Sequence, residues 1–160
     1  MTDPDVAATP TNPWVAEFAA GWREPTDADA FADHFRATFQ MDCRFRQPLI
    51  LGKVIGVKAF RERFVGPTFD LISDMRGCVV NWAARDDTIY IEMEVDGYIG
   101  KRPVTLRSCE RITLRDGLWA ERVTYLDSLP LLYAVIRTPK SWPMAIRLQI
   151  QNIRKGWRNR

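Results

Sequence analysis

Apolar side chains near the start of the chain recur at helical spacing. A first helix is predicted after Asn12-Pro13, which supply an N-cap and a proline for the first turn. The apolar residues that follow are Trp14, Val15, Phe18 and Trp22. A second helix is predicted to begin at Asp27 or Asp29, because a side-chain oxygen there can bond the free N–H groups of a first turn. Its aromatic residues recur every four positions and indicate a face in the core: Phe31, Phe35 and Phe39.

Alternation then replaces helical spacing. From Met41 to Gln47 every second side chain faces the same way, which predicts a strand, and Pro48 is expected to end it. The predicted inward side chains are Met41, Cys43, Phe45 and Gln47. A loop is expected over 48–56. Gly56 then begins a short third helix, which Gly66-Pro67 is expected to end. Its inward residues are Val57, Phe60 and Phe64.

After Asp74 the pattern predicts an antiparallel meander. Four strands are expected at about 75–84, 88–98, 102–114 and 118–126, with turn signals at Asp86-Asp87, Ile99-Gly100 and Asp116-Gly117. A two-residue turn at Ile99-Gly100 makes one face mostly apolar and gives the other face opposite charges on neighbouring strands. The apolar face carries Ile89, Ile91, Met93, Val95, Leu106, Ser108, Glu110, Ile112 and Leu114.

Glu110 is the only charged residue on this apolar face. Desolvation disfavours a charged carboxylate, so a buried acid here could serve as general acid, general base or neutral hydrogen-bond donor. The turn at Asp116-Gly117 brings residue 110 opposite roughly residue 124. Arg122 is then a diagonal neighbour, and an ion pair with it would oppose the effect of desolvation. Either proton-transfer chemistry or a buried structural ion pair is consistent with this pattern.

Length and composition indicate one compact domain. The 160 residues are 46% hydrophobic, which is enough to form a core without metals or disulfides. Three cysteines without a Cys-x-x-Cys pair are expected to be reduced thiols of a cytoplasmic protein. His34 is the sole histidine, so no metal site is expected. Neither a secretory signal nor a membrane span is recognised, and phosphate-binding loops and serine-hydrolase elbows are missing from the sequence.

Positive charge is concentrated at the end of the chain. Seven of the 23 basic residues and none of the 20 acidic ones lie in 137–160. The remainder is therefore net acidic, and no nucleic-acid binding is expected. Residues 138–160 are predicted to form a basic amphipathic helix with Ile146, Ile150, Ile153 and Trp157 on one stripe. It could pack on the domain or on a sister subunit, lie on an anionic membrane, or contact an acidic partner. Residues 1–12 are predicted to be a flexible leader.

The order of these segments resembles the SnoaL-like and nuclear transport factor 2-like superfamily. The resemblance rests on Cys43–Pro48, Gly56–Phe64, the alternation through Tyr90, Arg107–Glu110 and Tyr125–Asp127. It implies a cone-shaped α+β barrel over 13–137, in which three N-terminal helices pack on a strongly curved antiparallel sheet. It also implies a deep apolar pocket for a small, largely apolar and even polycyclic ligand, a homodimer, and no cofactor.

Two enzyme classes of that superfamily can be compared residue by residue. Glu110 matches the protonated aspartic acid in the oxyanion hole of ketosteroid isomerases. Gln47 and Phe18 stand where those enzymes carry the aspartate base and a tyrosine, so steroid isomerisation by that mechanism is not expected. In limonene epoxide hydrolases an Arg and two Asp activate water and protonate the epoxide. Those positions are held here by Met93, Val95 and Thr124, so that chemistry is not expected either.

The predicted site combines one acid with polar and apolar neighbours. Its catalytic candidates are Glu110 as proton donor or acceptor, Arg122 as electrostatic partner and Gln47 as an orienting group. The predicted ligand-binding residues are Phe18, Trp22, Phe45, Ile91, Met93, Leu106, Ser108, Thr124 and Leu126. The resemblance implies isomerisation, cyclisation, hydration or epoxide opening. The alternative is a non-catalytic binding or dimeric assembly module with a structural Glu110–Arg122 pair. Asp127 is expected to cap a following helix.

Overall fold

The computed structural model of the chain describes residues 12–25, 27–47 and 52–146. Residues 1–11 of the predicted leader, Pro48, and the part of the predicted basic helix beyond residue 146 lie outside the described residues. The helices are α1 (Pro13–Arg23), α2 (Ala28–His34), α3 (Val57–Phe60), a π-helical turn (Arg61–Val65), α4 (Gly66–Leu71), α5 (Leu129–Ile136) and a 3-10 turn (Pro139–Ser141). Residues 142–146 are also helical. None of the described helices is long and apolar enough to cross a membrane.

Six strands form one curved sheet. They are β1 (Phe39–Gln47), β2 (Gly52–Ile55), β3 (Ser73–Arg85), β4 (Thr88–Ile99), β5 (Arg102–Arg115) and β6 (Leu118–Leu126), in the order β2-β1-β6-β5-β4-β3. Neighbours are antiparallel except β1 and β6, which run parallel. Helix α1 lies against β3, and helix α5 lies against β5. The predicted α+β cone of helices on a curved sheet is confirmed.

The two N-terminal helices begin as predicted, but the second is shorter. The side chain of Asn12 accepts from the N–H of Trp14 at 2.9 Å, and Asp27 caps α2 through the N–H groups of residues 29 and 30. Helix α2 ends at His34, and Phe39 is the first residue of β1. The prediction that the second helix continues to Phe39 is therefore wrong, although all three aromatic residues are buried. A turn and a strand can bring side chains to the same core that a longer helix would reach.

Three further expectations between residues 41 and 71 were wrong. Met41 is 91% exposed, because the pairing of β1 with β6 shifts register between Phe39 and Arg44 and turns it outward. The expected loop over 48–56 contains β2, which forms a hairpin with β1. Gly66-Pro67 does not end the third helix. The π turn leads directly into α4, whose first turn contains Pro67.

The faces of the meander agree with the prediction despite a small difference in the turn. Ile99 pairs with Arg102, so the turn residues are Gly100-Lys101 rather than Ile99-Gly100. This changes the pairing by two residues, and a shift of two leaves every side chain on its predicted face. Ile89, Ile91, Met93, Val95, Leu106, Ser108, Glu110 and Ile112 are all buried. On the next hairpin, Glu110 pairs with Thr124, as predicted.

Aromatic packing fixes the helices on the sheet. Trp119 of β6 is fully buried, and its ring lies 5.8 Å from Phe18, 5.7 Å from Phe35 and 5.1 Å from Phe39 between centroids. These offset and edge contacts each add to the free energy gained by burying the rings. The cluster joins α1, the end of α2 and the start of β1 to the inner face of β6. The concave face beside this cluster is where Glu110 lies.

Candidate functional site

The carboxylate of Glu110 lies on the concave face and accepts three hydrogen bonds. Arg122 Nε and Thr124 Oγ1 donate to its Oε2 at 2.9 and 2.6 Å. Ser108 Oγ donates to Oε1 at 3.3 Å. The sheet produces this arrangement directly, because Thr124 is the cross-strand partner of Glu110 and Ser108 precedes it by two residues on the same face.

The Glu110–Arg122 ion pair is shielded from solvent. The two side chains are 2% and 3% exposed. The Arg122 guanidinium lies 5.4 Å from the centroid of the Phe18 ring and 5.8 Å from that of Phe60, distances at which an aromatic face attracts a cation. Two helices thus supply rings that hold the arginine in place. Phe18 therefore supports Arg122, a role that the sequence pattern did not reveal.

The contacts of Glu110 include both a basic side chain and hydroxyl donors. The sequence left open whether desolvation or a basic neighbour governs this acid. The structure contains both the basic neighbour and two hydroxyl donors, and each of them stabilises the negative charge. Burial alone would act in the opposite direction. The geometry thus holds the carboxylate in position through three donors, one of which is the guanidinium of Arg122.

A cavity of about 80 Å³ opens beside this ion pair, between the concave face and the helices. Its walls are mainly apolar, and among the described lining residues only Glu110 and Arg122 carry charge. The lining residues are Trp22, Gln47, Phe64, Thr68, Leu71, Ile72, Met75, Met93, Val95, Leu106, Ser108, Glu110, Arg122, Thr124, Leu126 and Leu131. Apolar walls around a few convergent polar groups are typical of small-molecule sites.

Three polar atoms of the lining residues are buried without a hydrogen-bond partner in the described part of the chain. They are the indole Nε1 of Trp22, the amide Oε1 of Gln47 and Nη1 of Arg122. A buried polar atom that lacks a partner costs about 1–3 kcal/mol. Two donors and one acceptor therefore belong to residues that line the same cavity. Such a set can pair with an oxygen-bearing group.

The cavity is smaller than the deep pocket expected from the sequence. Drug-sized ligands occupy sites of roughly 300–1,000 Å³, and a cavity that binds benzene measures about 150 Å³. About 80 Å³ accommodates a functional group or a few water molecules. A ring can enter only if lining side chains move.

Nine of the twelve predicted site residues line the cavity, and Phe18, Phe45 and Ile91 do not. Phe18 packs behind Arg122 and against Trp119. Phe45 stacks on Phe60 with their centroids 3.9 Å apart. Ile91 is fully buried as the cross-strand partner of Glu110. Each of the three touches or supports the ion pair's surroundings without facing the open space.

Seven lining residues were not predicted: Phe64, Thr68, Leu71, Ile72, Met75, Val95 and Leu131. Val95 could have been found, since it follows Met93 in the same alternation. The others come from the helical segment 57–71, the start of β3 and α5. Their approach to the cavity depends on tertiary contacts between distant segments, for which the sequence contains no local signal.

The other candidate residues have structural contacts. His34 Nε2 lies 3.0 Å from the carbonyl oxygen of Glu17 and 3.1 Å from its carboxylate. No group of three metal-binding side chains occurs within 12–25, 27–47 and 52–146. Asp127 accepts from the N–H of Leu129 at 3.1 Å and so caps α5. Burial raises the pKa of Cys43 to about 12, which leaves its thiol unreactive near neutral pH.

A helical layer on the concave face of a curved, unclosed sheet is the nuclear transport factor 2-like fold. The SnoaL-like domain family matches residues 15–122. The chain therefore belongs to the SnoaL-like domain family. The resemblance noted from the sequence is confirmed, and it now rests on the fold as well as on the segment order.

Solved structures share this fold at low sequence identity. A hypothetical protein with a ketosteroid isomerase-like fold from Catenulispora acidiphila, in complex with trimethylamine, is 17% identical with a TM-score of 0.66, over 78% of this chain and 93% of that one. A protein from a Jannaschia species described as a SnoaL-like polyketide cyclase is 19% identical with a TM-score of 0.66, over 76% and 90%. A Mycobacterium tuberculosis epoxide hydrolase of the LEH-like type is 13% identical with a TM-score of 0.57, over 78% and 92%. A search of curated proteins gave no match.

Proposed function

We propose that this chain binds a small, largely apolar molecule that carries at least one neutral oxygen, with that oxygen directed toward Arg122 and Gln47. The observation that carries the proposal is the set of three buried, unpartnered polar atoms on residues that line one apolar-walled cavity. An acceptor on the ligand would pair with Arg122 Nη1 and the indole N–H of Trp22. A hydroxyl on the ligand would donate to Gln47 Oε1.

The charge balance of the site favours a neutral ligand. Glu110 already compensates the charge of Arg122 at 2.9 Å. A second buried anion would therefore be uncompensated, and burying such a charge is costly. A ketone, ester or ether can accept from Arg122 Nη1 and Trp22 Nε1 without that cost, and an alcohol can in addition donate to Gln47 Oε1. Specificity would then come from the oxygen and from the shape of the apolar walls.

Larger ligands, including polycyclic ones, would enter with the oxygen first. Phe64 borders the cavity from the π-helical turn between α3 and α4. Single π turns inside helices are frequent at functional sites, since they interrupt the regular backbone pattern. Movement of Phe64 would enlarge the space without disturbing the sheet.

Binding can be tested with cyclohexanone, a ring that carries one carbonyl oxygen. A titration followed by protein NMR should show saturable shifts of the methyl signals of Met93 and Leu106. Leu126→Phe fills the cavity and should abolish these shifts. Tyr125→Phe is the matched control, because the neighbouring side chain faces outward and is 51% exposed. Equal shifts in both variants would contradict the proposed site.

A cofactor-free acid/base reaction is a second candidate function, and the unequal contacts of the Glu110 oxygens favour it. Oε2 is engaged by Arg122 and Thr124, whereas Oε1 has only the 3.3 Å contact with Ser108 among the described residues. Oε1 could remove a proton next to a ligand carbonyl, while Arg122 Nη1 stabilises the enolate oxygen and Gln47 orients the ligand. Isomerisation, cyclisation, hydration and epoxide opening all use such proton transfers.

Proton exchange separates catalysis from binding alone. In D₂O the protein should accelerate exchange of the protons adjacent to the carbonyl of cyclohexanone, and one-dimensional NMR measures this loss. Glu110→Gln should remove the acceleration while the binding shifts remain, at a temperature where both proteins are folded. Binding without acceleration in the unsubstituted protein would favour a non-catalytic module in which Glu110 and Arg122 form a structural pair.

A homodimer through the outer face of the sheet is also proposed. That face exposes Tyr90, Tyr98 and Tyr125 and carries charge pairs such as Arg107–Glu94 at 2.8 Å. Tyrosines surrounded by polar groups suit a protein interface. Light scattering should give the mass of a dimer for the full chain and of a monomer for Tyr98→Asp. A monomeric full chain would contradict this proposal.

A further inference from the structure

Within the described part of the chain, helix α5 has an apolar face that is exposed to solvent. Leu129, Leu132, Tyr133 and Ile136 follow the spacing that places side chains on one face of a helix. They are 71%, 55%, 60% and 57% exposed. We call these four residues the α5 stripe. The opposite face of the helix is covered, since Ala134 is buried and Leu131 borders the cavity.

The segment after α5 extends the stripe. Trp142 Nε1 donates to the carbonyl oxygen of Val135 at 2.9 Å, which holds the following turn against the end of the helix. The Trp142 side chain is nevertheless 47% exposed, and Ile146 is 55% exposed. Six large, exposed apolar side chains therefore occur between Leu129 and Ile146, and Trp142 lies against the end of α5. Contiguous apolar surface of this kind marks an interaction site more often than isolated exposed residues do.

Basic residues follow the α5 stripe along the chain, whereas the acidic Asp127 lies beside Leu129 at the start of the stripe. From Ser128 to the end of the chain there are seven basic residues and no acidic residue. Arg137 lies at the end of the stripe with its guanidinium 4.9 Å from the centroid of the Tyr133 ring. Arg102 donates from Nε to the carbonyl oxygen of Arg137 at 3.2 Å, and exposed Lys140 follows. The remaining five basic residues lie in 147–160, outside the described residues.

Apolar and cationic character together narrow the choice of occupant. A second copy docking by the same face would bring two cationic surfaces together, since symmetric dimers use the same patch twice. The chain's own residues 147–160 are themselves basic and would leave the charge uncompensated. An anionic bilayer supplies both an apolar layer and negative headgroups, and tryptophan and tyrosine suit its interface.

We propose that the α5 stripe docks peripherally on an anionic phospholipid membrane, together with Trp142, Ile146, Arg137 and Lys140. The leucine and isoleucine side chains enter the acyl boundary, and Arg137 and Lys140 contact the headgroups. Because Leu131 on the inner face of the same helix borders the cavity, docking would place the cavity close to the bilayer. Membrane docking does not depend on the identity of the ligand.

Vesicle flotation of the full chain tests the proposal. Phosphatidylcholine vesicles that contain phosphatidylserine should bind the protein, and phosphatidylcholine alone should not. High salt should weaken binding, because headgroup attraction is screened. Leu132→Ser with Ile136→Ser should weaken binding by roughly tenfold or more, since each buried apolar side chain contributes substantially. Val80→Ser is the matched control, a 54% exposed apolar residue on β3 that should leave binding unchanged. Arg137→Gln and Lys140→Gln should each weaken binding by roughly fivefold.

Four results would overturn the proposal. The first two are vesicle binding that does not depend on phosphatidylserine and no vesicle binding by the full chain. The other two concern the double serine variant, which would bind vesicles as well as the unsubstituted chain does or would convert a dimer to a monomer. A marked fall in its melting temperature without loss of vesicle binding would instead assign the stripe to packing within the chain, and would count against the membrane. An unchanged melting temperature with lost binding is the expected result.

Discussion

Replacing Glu110 with glutamine changes one charge inside the protein and almost nothing else. Glutamine has nearly the same volume, so no cavity is created, and its amide oxygen can still accept from Thr124. The guanidinium of Arg122 would remain 3% exposed with its carboxylate partner removed. Breaking a buried ion pair by removing one partner costs about 3–5 kcal/mol, because the remaining charge is neither solvated nor paired. Since glutamine keeps part of the hydrogen bonding, we expect about 3 kcal/mol.

The same strands provide a matched control. Glu121 of β6 pairs with Arg111 of β5 at 3.0 Å, but on the outer face, where the side chains are 26% and 32% exposed. Solvent screens this pair, and partly exposed ion pairs contribute about 0–1 kcal/mol. Glu121→Gln should therefore cost less than about 1 kcal/mol. The two variants remove the same kind of charge from the same hairpin, and they differ in burial.

Urea denaturation followed by tryptophan fluorescence measures both free energies of unfolding. For a domain of this size each kcal/mol lowers the melting temperature by about 2–4 °C, so Glu110→Gln should melt about 10 °C lower and Glu121→Gln almost unchanged. A further variant, Glu110→Leu with Arg122→Met, should recover most of the loss, because apolar residues of similar size can replace a buried pair. Equal costs for Glu110→Gln and Glu121→Gln would refute the proposed energetics of the buried pair.

Three other changes test the packing and chemistry of the fold. Gly97→Ala should destabilise the protein by about 1–3 kcal/mol in urea denaturation, since a Cβ there would lie 2.5 Å from Ile72 Cγ2 and 3.0 Å from a backbone oxygen; an unchanged midpoint would contradict that contact. Asp127→Ala should cost about 1 kcal/mol through loss of the α5 cap, whereas Asp127→Asn should cost less. At pH 9, the ordinary pKa of a thiol, iodoacetamide should label exposed Cys78 and spare Cys43, whose pKa burial raises to about 12. Mass spectrometry of the labelled peptides measures both sites, and labelling of Cys43 before Cys78 would contradict this prediction.

The strand faces could be predicted because alternation records burial directly. The predicted turn at Ile99-Gly100 was misplaced by one residue, yet the resulting change in pairing preserved the face of every side chain. That tolerance is why Glu110 could be placed on the concave face. Its position opposite Thr124 and diagonal to Arg122 followed from the separate turn at Asp116-Gly117. An error of one residue in the turn left the predicted faces correct, because the strands on both sides of the turn alternate strongly between apolar and polar residues.

Helical spacing was less informative in the first half of the chain. Phe31, Phe35 and Phe39 share a core face, but the last of them reaches it from β1. A period of four residues cannot distinguish a helix from a shorter helix followed by a turn and a strand. Gly66-Pro67 similarly fits a helix end or the first turn after a π turn, and only packing of 57–71 on the sheet decides between them.

The number of hydrogen bonds that the Glu110 carboxylate accepts depends on which side chains surround it, and the sequence does not specify them. The sequence left open whether this acid is neutral or paired with Arg122, and in the structure Arg122 and Thr124 both donate to one oxygen of Glu110. The other oxygen has only the long contact with Ser108 among the described residues. Glu110 is therefore fixed through Oε2, while Oε1 is the less engaged oxygen and lies on the side of the carboxylate that faces Ser108. Counting these donors required the structure, because they come from β6 and from the same strand as Glu110.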